Sequence, residues 1–162
     1  MFKIILDGWG YVLMGKGTVA ALRKHLLHES QIYAPLKSLQ GIYMPVSLGF
    51  IDLISCPYYY DIGVQIRHIL LLSYGGKPLP SHIVQSISLG DQWWKNKEVK
   101  DAVDAVKTCG VDYGDVRVPN LLWDNDKQRV LLIDFDHFVV MGVNVVGKSP
   151  GFRKRKREEK DN

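Results

Sequence analysis

Cysteine is nearly absent. The chain of 162 residues holds two, Cys56 and Cys109, far apart in sequence. Two isolated thiols cannot build the dense disulfide framework of a small secreted domain. They read as free thiols of a reducing compartment. With no cysteine pair at short spacing there is no structural zinc site either. Long apolar runs are also missing. No stretch reaches the eighteen or more apolar residues that a membrane-spanning helix needs. The N-terminal Met1-Phe2-Lys3-Ile4-Ile5-Leu6-Asp7 is too short an apolar stretch for a signal peptide. These absences predict an intracellular chain, cytoplasmic or nuclear, with no membrane partner. Internal repeats are lacking as well. Glutamate is so scarce that Glu29 is the only one before Glu98.

The body of the chain lacks net charge. Lys148, Arg153, Lys154, Arg155, Lys156, Arg157 and Lys160 face only Glu158, Glu159 and Asp161 over residues 147–162, a net of +4. The whole chain is also +4, so residues 1–146 are balanced. A neutral body argues against a dedicated nucleic-acid-binding domain, which normally shows a basic face. The run Arg153–Arg157, after the turn-prone Ser149-Pro150-Gly151, predicts a disordered basic tail. Its expected partners are a nuclear-import receptor or nucleic acid.

What is present is globular: 46% apolar and 23% charged residues, enough for one domain with a core. Two motifs mislead. Gly10 to Gly17 nearly fits the phosphate-loop pattern, but Gly17 stands where a metal-binding hydroxyl belongs. The interior Tyr11-Val12-Leu13-Met14 suits a strand better than a loop of exposed amides. His25-x-x-His28-Glu29 has zinc-ligand types in the wrong order. A helix over Glu98–Lys107 is clear, with Val99, Ala102, Val103 and Val106 at i, i+3, i+4, i+7. Gly110 is its expected C-terminal cap.

The most informative stretch is 109–136, CGVDYGDVRVPNLLWDNDKQRVLLIDFD. Asn120 follows Asp115 after four residues. Val118–Trp123 reads as loop into strand, Asp124-Asn125-Asp126 as a turn cluster, and Val130–Ile133 as the returning strand. A hairpin brings its two ends together, so Asn120 and Asp134 should meet beside one metal ion. Magnesium prefers oxygen ligands from one or two side chains, completed by phosphate and water.

At these residues the chain resembles the protein-kinase-like superfamily, in the branch shared with aminoglycoside and choline kinases. It looks like a group of kinase-like proteins of filamentous fungi. The resemblance extends over roughly residues 10–138, with 109–136 its specific part. It implies an ATP-dependent phosphotransferase with an unidentified acceptor. Asp115 would orient the acceptor hydroxyl, and Arg117 would neutralise the transferring phosphoryl group. Asn120 and Asp134 would bind Mg²⁺. Lys16 would sit on the phosphates and Glu29 would pair with it, from a helix over Val19–Ile32. Met44–Leu53 would be the strand behind the nucleotide, and Ile69–Gly76 a strand and hinge.

The implied fold is α+β. It is an incomplete kinase-like domain over 1–146, with a small sheet-containing N-terminal part, a truncated helical lobe and a hairpin at the nucleotide site. The pattern is departed from in several places. Gly8 and Gly10 lack the third glycine of a phosphate-covering loop, since Leu13 stands there. Too few residues precede Tyr11 for two strands. Tyr113 replaces a histidine and Asp136 a glycine. No A-P-E element or large substrate-holding half follows. The alternative is therefore a catalytically inactive pseudokinase or remnant, acting as a nuclear binding module.

Overall fold

The structure is a computed structural model. It describes residues 1–60, 63–88, 92–135, 139 and 140, with backbone only at 86, 88, 139 and 140. The predicted basic tail of 147–162 and the residue Asp136 lie outside the described residues.

The chain is α+β, with small antiparallel sheets and few helices. The strands are β1 (Phe2–Ile5), β2 (Val12–Thr18), β3 (Ser47–Asp52), β4 (Tyr58–Tyr60), β5 (Val64–Ile66) and β6 (His68–Ser73) in the first half. Then come β7 (Lys77–Pro78), β8 (Val111–Asp112), β9 (Leu121–Asp124), β10 (Arg129–Leu132) and β11 (Val139–Val140). The helices are α1 (Arg23–Ile32), α2 (Ser81–Ser88) and α3 (Lys97–Thr108). The main sheet has four strands in the order β1-β2-β6-β3, all antiparallel neighbours. A second sheet, β10-β9-β7, has three.

Strand β2 runs through Gly15-Lys16-Gly17 rather than ending there. Both glycines face the ring of Phe2. A Cβ on Gly15 would lie 2.6 Å from that ring, and one on Gly17 2.8 Å. Alternation then sends Met14, Lys16 and Thr18 to the opposite face, where α1 packs. The same face of β6 carries His68, Leu70 and Leu72, through the partner pairs Met14–Leu72, Lys16–Leu70 and Thr18–His68. Gly8 and Gly10, both at positive φ, lie in the β1–β2 connection, where the Leu6 N–H donates to the Tyr11 carbonyl at 3.0 Å. Their role is therefore a hairpin turn, which no phosphate need explain.

The predicted helix of 19–32 is shorter than expected. A single 3₁₀ turn, Ala20–Leu22, precedes α1. Helix α3 spans the predicted segment and buries the four predicted residues. Asn96 caps its start, accepting the Val99 N–H at 3.0 Å. Gly110, at φ +78°, ends it and donates to the Lys107 carbonyl at 2.9 Å. One contiguous core joins these parts. Leu26, Ile32, Leu70 and Leu72 from the first half belong to the same buried cluster as Val99, Val103 and Val106 of α3. Leu121, Trp123, Leu132 and Phe135 complete it. The peptide at Gly76 lies so close to β9 that a Cβ would fall 2.2 Å from the Trp123 carbonyl oxygen. Glycine there, at φ +104°, lets β7 pair with β9 and join the segment after β6 to the hairpin. Among the described residues no helix is long and apolar enough to cross a membrane.

Candidate functional site

The β9–β10 hairpin is the foundation of the site. Its register pairs Leu121 with Leu132 and Asp124 with Arg129. The turn is fixed by Asp124, whose Oδ1 accepts from the backbone N–H groups of Asp126 and Lys127, both at 3.1 Å. At the open end the ladder extends one step further, where the Ile133 N–H donates to the Asn120 carbonyl at 2.9 Å. Asn120, in a 3₁₀ turn with Pro119, is thus held beside the residue that precedes Asp134.

Asn120 is 5% exposed, and its amide points back into its own loop. Nδ2 donates to the Asp115 backbone carbonyl at 3.2 Å and to Asp115 Oδ2 at 3.0 Å. Arg117 closes the loop from outside. Its guanidinium donates to the same Oδ2, and its backbone N–H donates to the Asp115 carbonyl at 2.9 Å. The carboxylate of Asp115 raises the pKa of Arg117 above its usual value, chiefly through that hydrogen bond. Sequence spacing explains the loop: four residues between Asp115 and Asn120 suffice for one turn with a proline in it.

Asp134 sits at φ +65°, a left-handed conformation that asparagine and aspartate tolerate better than most residues. Phe135 beyond it is fully buried, between the rings of Tyr33 at 5.5 Å and Tyr113 at 5.6 Å. The kink leaves the Asp134 side chain one-third exposed. Lys16 reaches it across the molecule, with Nζ 2.6 Å from Asp134 Oδ1. The same ammonium lies 2.6 Å from Glu29 Oε2. Glu29 has no exposure at all, and its other oxygen accepts the Phe135 N–H at 3.3 Å. One buried carboxylate therefore ties β2, α1 and the Asp134-Phe135 peptide together.

Sequence reasoning missed the part played by Tyr113. Its hydroxyl lies 2.9 Å from the Ile133 carbonyl and 3.2 Å from the Asn120 carbonyl, so its proton braces the base of the hairpin. Burial pushes its pKa well above the usual tyrosine value, and the negative charges of Asp115 and Asp134 push the same way. The ring stays a neutral donor. The only signal in the sequence was its place two residues before Asp115.

Among the described residues no cluster of three His, Cys, Asp or Glu could hold a metal ion. The oxygen donors present, the Asp134 carboxylate and the Asn120 amide oxygen, number too few for a resident metal. Mg²⁺ that arrives with phosphate and water ligands needs only one or two such side chains. A cavity of about 260 Å³, lined by Lys16, Gly17, Thr18, Leu22, His25 and Leu26, flanks the lysine. A second, of about 350 Å³, lies between Tyr74–Lys77 and Trp123–Lys127 and holds none of the candidate residues.

No protein-family profile matches the chain. It is similar to the meiotic driver SPOK2 of Podospora anserina, with 34% identity over 137 residues. The match covers 84% of this chain and 16% of that protein, so the chain spans about a sixth of the length of the relative it matches. These findings correct the assignment drawn from residues 109–136. Membership of the protein-kinase-like superfamily is overturned: no such family matches, and the protein found is a meiotic driver. The descriptions kinase and pseudokinase, taken from that superfamily, fall with it.

Proposed function

We propose that the residues around Lys16 and Asp134 bind a magnesium-bound nucleoside triphosphate, with ATP the first candidate, and support phosphoryl transfer to an unidentified hydroxyl. The observation that carries this reading is Lys16 standing 2.6 Å from both Glu29 and Asp134. A lysine held by a fully buried carboxylate presents a fixed positive charge beside an exposed one, as a polyphosphate requires. Asp134 and Asn120 would hold the cation. When bound, Mg²⁺ supplies charge neutralisation at the phosphate oxygens.

The chain's own residues do the rest. Glu29 fixes the lysine. Tyr113 fixes the hairpin, and with it the separation of the Asp115 loop from Asp134. Asp115, 23% exposed at its side chain, would accept the hydrogen bond of the acceptor hydroxyl and orient its oxygen toward the phosphorus. The new O–P bond forms as the bond to the leaving diphosphate breaks, and the hydroxyl proton passes to Asp115 or to water. Arg117, 65% exposed, would turn from Asp115 to the transferring group.

A second reading is binding without transfer. It is favoured by the grip of Arg117 and Asn120 on one oxygen of Asp115, which occupies that oxygen before an acceptor hydroxyl arrives. In either reading the chain would handle a nucleotide, and its likeness to a meiotic driver extends the proposal to a part in meiotic drive.

The test is thermal stability with ATP, with and without Mg²⁺. A ligand at a hundred times its dissociation constant stabilises by about 2.7 kcal/mol, a rise of roughly 5–10 °C for a chain of this size. Asp134→Ala should remove the Mg²⁺-dependent part. Turnover of ATP on addition of hydroxyl acceptors, lost in Asp115→Asn, separates transfer from binding alone. No shift at millimolar nucleotide overturns both readings.

A further inference from the structure

A cluster outside the candidate site joins three elements. Asp52, the last residue of β3, pairs across the sheet with His68, the first of β6. His68 is 4% exposed, and its Nδ1 lies 2.5 Å from Asp52 Oδ1. The other carboxylate oxygen accepts from Arg23 Nη2 at 3.3 Å. Arg23 is the first residue of α1. Its guanidinium lies 5.6 Å from the centroid of the Phe50 ring, which itself stacks on His68 at 6.0 Å and 23°. Hydrogen bonding to His68 first, and to Arg23 second, lowers the pKa of Asp52, so the carboxylate is charged throughout the neutral range.

Helix α1 has little else to fix its start. No side chain caps its N-terminus, and no acidic residue stands in its first turn. Yet Glu29, six residues on or roughly 9 Å along the axis, must meet Lys16 at 2.6 Å from a fully buried position. A small tilt would draw that carboxylate away from Lys16.

We infer that Arg23, Asp52 and His68 are positioning residues for the nucleotide site: they dock the start of α1 on the sheet and so hold Glu29 against Lys16. The inference rests on the proposed nucleotide reading for its consequence, though not for its geometry. Phe50, Asp52, His68 and Lys16 all lie on the sheet face toward α1. His68 is the buried anchor, Asp52 the bridge, and Arg23 the part that belongs to the helix. The Arg23–Asp52 pair is half-exposed, with 42% and 35% side-chain exposure, so its share of the effect is small. The buried histidine makes the Asp52 end the stronger one.

The test follows the helix and the lysine in the absence of nucleotide. Amide hydrogen exchange over Leu26–Ile32 should quicken about two- to fivefold in Arg23→Ala and about tenfold in Asp52→Asn. Exchange over Val99–Val106 should stay unchanged in both. Labelling of Lys16 by an amine-reactive reagent, read by peptide mass spectrometry, should rise in the same order. Arg23→Lys should restore both. In a Glu29→Gln background, Arg23→Ala should add nothing to the loss of MgATP affinity, because it acts through Glu29. Unchanged exchange in α1, equal loosening of α3, or additive losses with Glu29→Gln would each overturn the assignment. If wild type binds no nucleotide, the functional reading fails, while exchange and Lys16 labelling still decide the positioning role.

Discussion

Tyr113 shows how much one proton can do at the scale of a residue. Its hydroxyl meets the carbonyls of Asn120, one of the two residues proposed to hold the cation, and of Ile133, which precedes the other. Tyr113→Phe keeps the ring packing on Phe135 but leaves the Ile133 carbonyl without that donor. The expected cost is about 1–3 kcal/mol, read from the midpoint of urea unfolding. The pH dependence carries a sign. The tyrosine's pKa is raised on folding, so its contribution is fully present below the unfolded value of about 10 and declines as pH rises beyond it. Wild type should therefore lose stability above pH 10 more steeply than Tyr113→Phe. Parallel alkaline curves for the two proteins would show that the hydroxyl is not held as described. Asp52 runs the other way. Its pKa is lowered on folding, so its contribution is present above about 3.9 and is lost only as pH falls through the depressed value.

At the scale of elements, α3 is the piece whose stability comes most from local rules. Asn96→Ala removes the acceptor for the Val99 N–H and should cost about 1 kcal/mol. A drop of roughly 2–4 °C in Tm would register it, and no drop would show that water replaces the cap. The same helix was legible in the sequence, because Val99, Ala102, Val103 and Val106 repeat at helical spacing and all four are buried. The β9–β10 hairpin was legible too, since turn residues separate two apolar runs. The hairpin of β4 and β5 was not. Tyr58, Tyr59 and Tyr60 are all exposed, so no alternation marks the strand. Helix α2 follows Pro80 and spans only eight residues, too few for periodicity to stand out. The helix predicted from Val19 begins later, because Ala20–Leu22 makes a 3₁₀ turn first. Within the site, the Asp115–Asn120 loop was local and readable. The meeting of Lys16 with Asp134 spans 118 positions and depends on the whole core. The Arg23–Asp52–His68 cluster carries no motif at all.

At the scale of the molecule, the Lys16–Glu29 pair joins the first sheet and α1 to the segment after the hairpin, through one carboxylate with no exposure. Buried ion pairs stabilise little compared with apolar packing, but breaking one by removing a single partner is costly. Lys16→Met takes from the buried Glu29 carboxylate the ammonium that faces it. The expected loss is about 3 kcal/mol, the lower end for such changes, because the Lys16 side chain keeps 19% exposure. Glu29→Gln should cost less. It retains an oxygen for the Phe135 N–H, and Lys16 keeps Asp134 as a partner. The double substitution removes that carboxylate as well and should be more stable than Lys16→Met alone. That reversal is the diagnostic, since independent surface residues would give additive losses. Urea unfolding of the four proteins, followed by both fluorescence and circular dichroism, measures it. Coincident transitions by the two probes are expected from the single core that runs from Leu70 to Val103. A double variant weaker than either single one would mean that the lysine stabilises the fold through Asp134 rather than through Glu29.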